Sequence, residues 1–300
     1  MKKIHDDVFV RIHDQYQHLS KGQKRLADYI CEHYDKAVYM TAAKMGQTVG
    51  VSESTVVRFA SELGYDGYPG MQRALEEVMR VRLTALQRME ASRERMDGDH
   101  VMSKVIQSDI ANIKETLEML DEKEFQKAVD AILKARTVYI LGVRSSEPLA
   151  SFLFYYLNLF FDNVRIVNTN SISETFERLM KISPEDVMIG ISFPRYSKRT
   201  VKAMEFARSR GAEVIAITDS EQSPIASSAT CVLKAQSHTI SFVDSIVGPM
   251  SLVNALIAAL SMKRQSQVEQ SLADLENIWK EYDVYESLGE EDDTYGRILS

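Results

Sequence analysis

Five short apolar runs recur in the second half of this chain: Thr137–Leu141, Val164–Val167, Asp186–Ile191, Glu213–Ile217 and Cys231–Leu233. A strand with one wet face alternates polar and apolar residues. These runs are almost continuously apolar, as strands buried on both faces are, and such strands belong to parallel sheets covered by helices. Helices are expected between them over Glu147–Phe161, Ser173–Met180 and Ser197–Arg210, and a long apolar helix over Phe242–Met262. Upstream, Ile106, Ile110, Ile113 and Leu117, then Phe125, Val129, Ile132 and Leu133, recur at helical spacing. The second half therefore reads as an α/β fold: a five-stranded parallel sheet flanked by helices.

The first half is all helix. Leu19-Ser20-Lys21-Gly22-Gln23 opens a helix with Leu26, Ile30 and Tyr34 on one side and Ser20 as its N-cap. In Thr41–Met71, Ala42, Met45 and Val49 share a helix face, and Gly50 permits a tight turn. Ser52 caps a second helix, Glu53–Leu63, whose Val56, Phe59, Ala60 and Leu63 point inward, and Gly64 stops it. A short helix, a glycine turn and a capped second helix are what a helix-turn-helix DNA reader needs, with Ser52, Glu53, Ser54 and Thr55 at the end that reaches base edges. An ordinary helical hairpin has the same pattern. Met71–Met96 continues as an arginine-rich helix, a connector or a dimer contact, and Asp97-Gly98-Asp99 breaks it.

A length of 300 residues suggests two domains, and 45% hydrophobic with 26% charged residues describes a globular protein. The net charge of −7 is wrong for a nucleic-acid binder until the chain is divided. Residues 1–95 hold 15 Lys and Arg against 13 Asp and Glu, and residues 96–300 hold 21 against 30. The near-neutral half can bind DNA if its cations share a face. The candidates are Lys21, Lys24, Arg25, Lys44, Arg58 and Arg73, any one of which also fits a solvated mixed-charge surface. Cys31 and Cys231 fit no metal-ligand spacing and are expected to be buried hydrophobes, so neither a metal nor a cofactor is expected. Met1-Lys2-Lys3 leads into polar sequence without a secretory apolar segment. The most apolar run, Leu149–Phe161, has 13 residues, too few to span a bilayer. A cytoplasmic location with no membrane partner is the expectation.

Ligands of an open parallel sheet sit at the carboxyl ends of its strands, where helix N-termini favour anions. Three strand ends carry hydroxyls: Gly142-Val-Arg-Ser-Ser146, Ser192-Phe-Pro-Arg-Tyr-Ser197, and Thr218-Asp-Ser220 followed by Ser223-Pro224. Each alone is ordinary turn chemistry. The first two open long helices and have Arg144, Arg195, Lys198 and Arg199 nearby, a set suited to a phosphate.

The run SESTVVRFASELGYDGYPGM resembles the recognition helix and following turn of RpiR-type bacterial transcriptional regulators, matching at Ser52, Ser54, Thr55, Val56, Arg58, Phe59, Leu63, Gly64 and Gly67. Thr137–Met262 resembles the SIS (sugar isomerase) domain, a phosphosugar-binding α/β fold. Its G-x-G-x-S motif appears as Gly142 to Ser146 with Arg144 at the second glycine. Its S-x-S-G-x-T motif appears as Ser192 to Ser197 with Pro194 and Arg195 at the middle serine and the glycine. The resemblance implies a helix-turn-helix domain at 1–78, a helical linker at 79–102, a SIS domain at 103–284 and an acidic tail at 285–300. It further implies a regulator of carbohydrate genes that binds a double-stranded operator and a phosphorylated sugar, as a homodimer or homotetramer through the SIS domain. DNA-binding residues would be Lys44, Ser52, Glu53, Ser54, Thr55 and Arg58. Ligand-binding residues would be Gly142, Arg144, Ser145, Ser146, Ser192, Arg195 and Ser197, with the arginines supplying part of the anion contact.

Two other readings stand beside this one. A sugar-phosphate isomerase with an accessory helical domain needs a base and a second acid–base group. Glu147, Glu174, His238 and Asp244 are the candidates, none at telling spacing. A dimeric scaffold whose hydroxyl-rich loops are only caps needs no ligand.

Overall fold

The computed structural model describes residues 8–82, 86, 87, 89, 100–169 and 171–285. The chain forms two compact units, residues 1–118, 192–198 and 235–248 in one and residues 119–191, 199–234 and 249–300 in the other.

The first unit opens with α1 (Val8–Gln15), a 3-10 turn (Tyr16–His18), α2 (Lys21–Glu32) and α3 (Tyr34–Ala37). It continues with α4 (Ala42–Val49), α5 (Glu53–Glu62) and α6 (Gly67–Arg82). Ser20 caps α2 through a reciprocal pair: its Oγ accepts from Gln23 N, and Gln23 Oε1 accepts from Ser20 N at 2.9 Å. Leu26, Ala27 and Ile30 of α2 bury against Met45, Val56, Phe59, Leu63, Met71 and Leu75 in one core. The helix breaks at His33, so Tyr34 belongs to α3 and not, as the periodicity suggests, to the face of α2. Cys31, expected inside, is exposed, one position round the helix from buried Ile30. The arginine-rich connector beyond Arg82 and the acidic tail from residue 286 lie outside the described residues, apart from 86, 87 and 89.

This unit also contains α7 (Val101–Glu118) and the segment Ala235–Gly248. Asn112 of α7 grips the segment at two points, donating from Nδ2 to His238 O (2.8 Å) and accepting at Oδ1 from His238 N (2.9 Å). Thr116 Oγ1 accepts from Gln236 N at 2.9 Å, and Ser245 Oγ donates to Asp109 Oδ1 at 2.6 Å. The apolar helix expected from Phe242 begins only at Val247. Before it, Thr239 Oγ1 and Ser241 Oγ accept from the amides of Ser241 and Val243 (both 3.1 Å), local turns that compete with helix.

The second unit is the sheet. Its elements are α8 (Glu122–Lys134), β1 (Val138–Gly142), α9 (Glu147–Leu157), β2 (Val164–Ile166), α10 (Ile172–Leu179), β3 (Val187–Ile191), α11 (Lys198–Ser209), β4 (Glu213–Thr218), β5 (Cys231–Lys234), α12 (Val247–Lys263) and α13 (Gln265–Glu281). All pairings are parallel, in the order β2-β1-β3-β4-β5. β1 and β3 are buried at every position, the physical content of their unbroken apolar runs. Tyr139, Leu141, Met188, Val214 and Ala216 face one layer with Ala203, Met204 and Ala207 of α11. The alternate residues Val138, Ile140, Ile189, Ile191, Ile215 and Ile217 are buried on the other face. Cys231 is buried, and burial, with the nearby Glu124 charge, pushes its thiol up to about 12. Among the described residues no helix is long and apolar enough to cross a membrane, and no cluster of side chains is arranged to hold a metal.

One buried charge pins the amino end of the sheet. Asp186, just before β3, accepts from Arg136 Nη2 (2.8 Å) and Nε (3.1 Å) and from Ser183 N (2.9 Å). Burial works to raise this carboxyl, but Arg136 and the Ser183 amide and hydroxyl outweigh it and hold it below the usual carboxylate range. A depressed folded-state pKa contributes stability that is complete above the unfolded value of about 3.9 and disappears as pH falls through the folded value. Stability is expected to drop below about pH 4. Asp186→Ala should cost about 2 kcal/mol at neutral pH and flatten that acid limb, read by thermal melts across pH.

Candidate functional site

The reader helix is set by its two ends. Thr41 caps α4 by accepting from Lys44 N at 3.2 Å. Gly50 adopts φ 75°, and the amides of Gly50 and Val51 both donate to Gly46 O at 2.9 Å. Only a residue without Cβ takes this left-handed turn at no cost. Ser52 then caps α5, its Oγ accepting from Thr55 N at 3.3 Å and bonding the Ser54 and Thr55 hydroxyls at 2.9 and 2.8 Å. Gly64, at φ 83°, closes the far end. Val56, Phe59 and Ala60 are fully buried and Leu63 nearly so.

The opposite face of α5 is open to solvent. Ser54, Val57, Arg58 and Ser61 lie along it at i, i+3, i+4 and i+7, all exposed. Arg58 donates from Nε to Ser54 O at 3.3 Å, one turn back along the helix. Of the expected DNA contacts, Lys44, Glu53, Ser54 and Arg58 are exposed, Thr55 is half-buried, and Ser52 has its hydroxyl occupied as the cap. Val57 was not named among the contacts, although the spacing that points Val56, Phe59, Ala60 and Leu63 inward leaves it on the outer row.

The cation set also changes. Arg25 donates to Gly50 O at 3.1 Å and so braces the turn. Lys24 lies 5.4 Å from the Tyr16 ring centre. Lys21, Lys44, Arg58 and Arg73 remain as exposed cations. Arg11, not singled out from the sequence, donates to Leu63 O (2.8 Å) and Gly64 O (3.2 Å) at the carboxyl end of α5.

In the sheet, strand order reverses between β1 and β3: from β1 the chain crosses to β2 on one side, and from β3 to β4 and β5 on the other. Such a switch point, outside the carboxyl ends of the strands, is where open α/β sheets bind ligands. Gly142 ends β1, and a Cβ there would lie 2.4 Å from Ser146 O, so the loop folds back over it only because it is glycine. Arg144 sits at φ 58°, a left-handed conformation rare for a residue with a side chain. Ser145 is exposed and Ser146 buried, where α9 begins. Glu147 Oε1 accepts from Asn168 Nδ2 at 2.8 Å, tying the loops after β1 and β2 together.

The segment after β3 repeats the device. Ser192 is buried, and its Oγ accepts from Ser197 N at 3.2 Å, closing the loop on itself. Arg195 sits at φ 66°. Arg144 and Arg195 are both exposed, and neither makes a hydrogen bond or ion pair among the described residues. Arg199, by contrast, is engaged with Thr169 O. The third strand end is turn chemistry: Thr218 Oγ1 donates to Asp219 Oδ1 at 3.2 Å, and Asp219 and Ser223 are buried. Of the residues considered for isomerase chemistry, Glu174 accepts from Thr169 Oγ1 (2.7 Å) and Arg178 (2.8 Å), which hold it below the ordinary carboxylate range. His238 Nε2 lies 3.3 Å from Glu115.

Residues 7–80 match the helix-turn-helix domain of the rpiR family, and residues 131–259 match the SIS domain. The HTH-type transcriptional regulator HexR of Escherichia coli is 26% identical over 283 residues, covering 92% of this chain and 95% of that one. The sugar isomerase domain of an RpiR transcription factor from Sphaerobacter thermophilus is 30% identical, with a TM-score of 0.56 over 59% of this chain and 98% of that one. Vibrio vulnificus NanR, solved with ManNAc-6P, shares the fold at 21% identity, with a TM-score of 0.57 over 92% of this chain and 98% of that one. A helix-turn-helix followed by a SIS domain thus has its counterpart in known regulators, and the chain belongs to the RpiR family of helix-turn-helix transcriptional regulators.

Proposed function

We propose that this protein binds an operator through α5 and that a phosphorylated sugar, bound at the SIS domain, sets its operator affinity and so controls carbohydrate-metabolism genes. The observation that carries the reading is the exposed row Ser54, Val57, Arg58 and Ser61 on a helix capped at its base-reading end. Arginine reads guanine bidentately, hydroxyls accept or donate to either edge, and Val57 suits a thymine methyl. Lys44, Glu53 and Thr55 border that row, Lys21 and Arg73 are further candidates for phosphate contacts, and Ser52 acts through the cap.

The effector contacts are Gly142, Arg144, Ser145, Ser146, Ser192, Arg195 and Ser197. A phosphosugar is favoured by the ligand of NanR, by the hydroxyls and amides at two strand ends, and by two unengaged arginines at positions where the SIS motifs have glycine. A backbone strained at such a position persists where its side chain has work to do. The protein is not an enzyme in this reading. An isomerising base needs a pKa near the working pH, and Glu174 is displaced the other way, while Glu147 and His238 are engaged by Asn168 and Glu115. It acts in the cytoplasm, as a homodimer or homotetramer through the SIS domain, without a membrane partner. The effector works only by favouring one arrangement of the readers over another.

Arg58→Ala should weaken specific operator binding by about 1–3 kcal/mol, measured by titration at fixed salt. Unchanged affinity overturns the assignment of α5 as reader. Ser52→Ala should lower stability by about 1 kcal/mol through the lost cap. The arginines give a test with opposite signs. Arg144→Gly and Arg195→Gly should each hold or raise stability, by up to about 1 kcal/mol, because the left-handed strain is relieved. Each should also shrink the thermal shift produced by a panel of sugar phosphates. A panel that shifts both variants as it shifts the wild type removes the arginines from the site.

A further inference from the structure

Glu62 stands four residues beyond Arg58 on α5, the spacing at which opposite charges pair on a helix. Both side chains are exposed, yet no ion pair joins them among the described residues. Arg58 reaches one turn back, to Ser54 O. Glu62 turns aside to α2, where its Oε2 accepts from Gln23 Nε2 at 2.6 Å.

Gln23 is placed to hold that carboxylate. It is 6% exposed, and both ends of its amide are in use: Oε1 accepts from Ser20 N at 2.9 Å, and Nε2 donates to Glu62. The Ser20 amide can only donate and an ionised carboxylate can only accept, so the Gln23 amide has one orientation. The first turn of α2 lies along the same side of α5: a Cβ on Gly22 would sit 3.8 Å from Thr55 Cγ2, and Thr55 and Glu62 are two turns apart. A bond from a buried amide to a carboxylate is stronger than an exposed ion pair one helical turn long. An arginine placed before its glutamate is also the weaker order of such a pair. The competition for Glu62 therefore goes to Gln23.

We propose that Gln23 is a positioning residue that draws the Glu62 carboxylate away from Arg58 and so leaves the arginine's donors open to a base edge. This rests on the reading of α5 as the operator reader and names what keeps its arginine available. An arginine paired within its own helix must break that pair to bind guanine, and a released carboxylate beside it repels phosphates.

Single and double variants test it. They are titrated at fixed salt against a duplex that the wild type selects from a random-sequence pool, with a scrambled duplex as the non-specific control. Gln23→Leu should weaken binding of the selected duplex about two- to fivefold, the strength of an exposed ion pair. Glu62→Ala alone should hold or raise affinity. Gln23→Leu with Glu62→Ala should return to the Glu62→Ala level, since no carboxylate is left to capture Arg58. Gln23→Leu also removes the acceptor for the Ser20 amide, so Gln23→Glu is measured beside it. A glutamate there keeps the cap but cannot donate to Glu62, and it should show the same loss and the same recovery. A bond that only fixes the tilt of α5 gives another pattern: Glu62→Ala weakens binding as much as Gln23→Leu, and the double variant recovers nothing. That pattern overturns the proposal, as does unchanged affinity in both Gln23 variants. Arg58→Ala separates the two levels. If it leaves affinity unchanged, or if the wild type selects no sequence, the reader assignment fails and this proposal with it. If it weakens binding while the Gln23 variants do not, only the role of Gln23 fails.

Discussion

Everything in the second half of this protein follows from burying a parallel sheet on both faces. Each strand gives up its alternation of polar and apolar residues to be covered by helices above and below. With both faces closed, polar chemistry is left to the sheet's two ends. At the amino end lies a single buried carboxylate, Asp186, fastened by Arg136 and Ser183. At the carboxyl end lie the loops with glycine, serine and arginine. The separation of a structural end from a chemical end is dictated by the topology before any particular side chain is chosen.

Within those loops, two arginines take a backbone conformation that suits glycine. Arg144 and Arg195 are separated by α9, β2, α10 and β3, yet they share positive φ, exposure and lack of a partner among the described residues. Nearby arginines behave differently. Arg136, Arg178 and Arg199 all bond groups of their own unit. The contrast separates cations that hold the fold from two that bond nothing among the described residues.

Much of this was legible in the sequence. The five strands were marked by their apolar runs, and the observed boundaries differ by at most one residue at either end. Gly50, Ser52 and Gly64 announced the reader because each has one conformational job that few residues do as well. What stayed hidden depends on three-dimensional partners. Nothing in a linear pattern shows that Arg25 braces Gly50 or that the apolar run at Phe242 is held out of helix by Thr239 and Ser241. The motif serines were visible as types and Ser52 as a cap, but no spacing marks the fold-back in which the Ser192 hydroxyl closes its own loop. α7 is the sharpest case: periodicity identified a helix and its apolar side but could not say that this side faces water.

The internal use of Arg11 and Arg25 has a consequence for thermodynamics in salt. Both donate to backbone carbonyls bordering the reader, one at the carboxyl end of α5 and one at the turn before it. A cation that holds its own backbone neutralises no phosphate and releases no counterion. The slope of affinity against salt concentration is set by the phosphates contacted and not by the positive charges counted in the sequence. A near-neutral module with part of its positive charge turned inward therefore has little non-specific attraction to DNA. In the proposed reading its occupancy rests on the fit of α5 to its bases, and a regulator built this way is not titrated away by the rest of the chromosome.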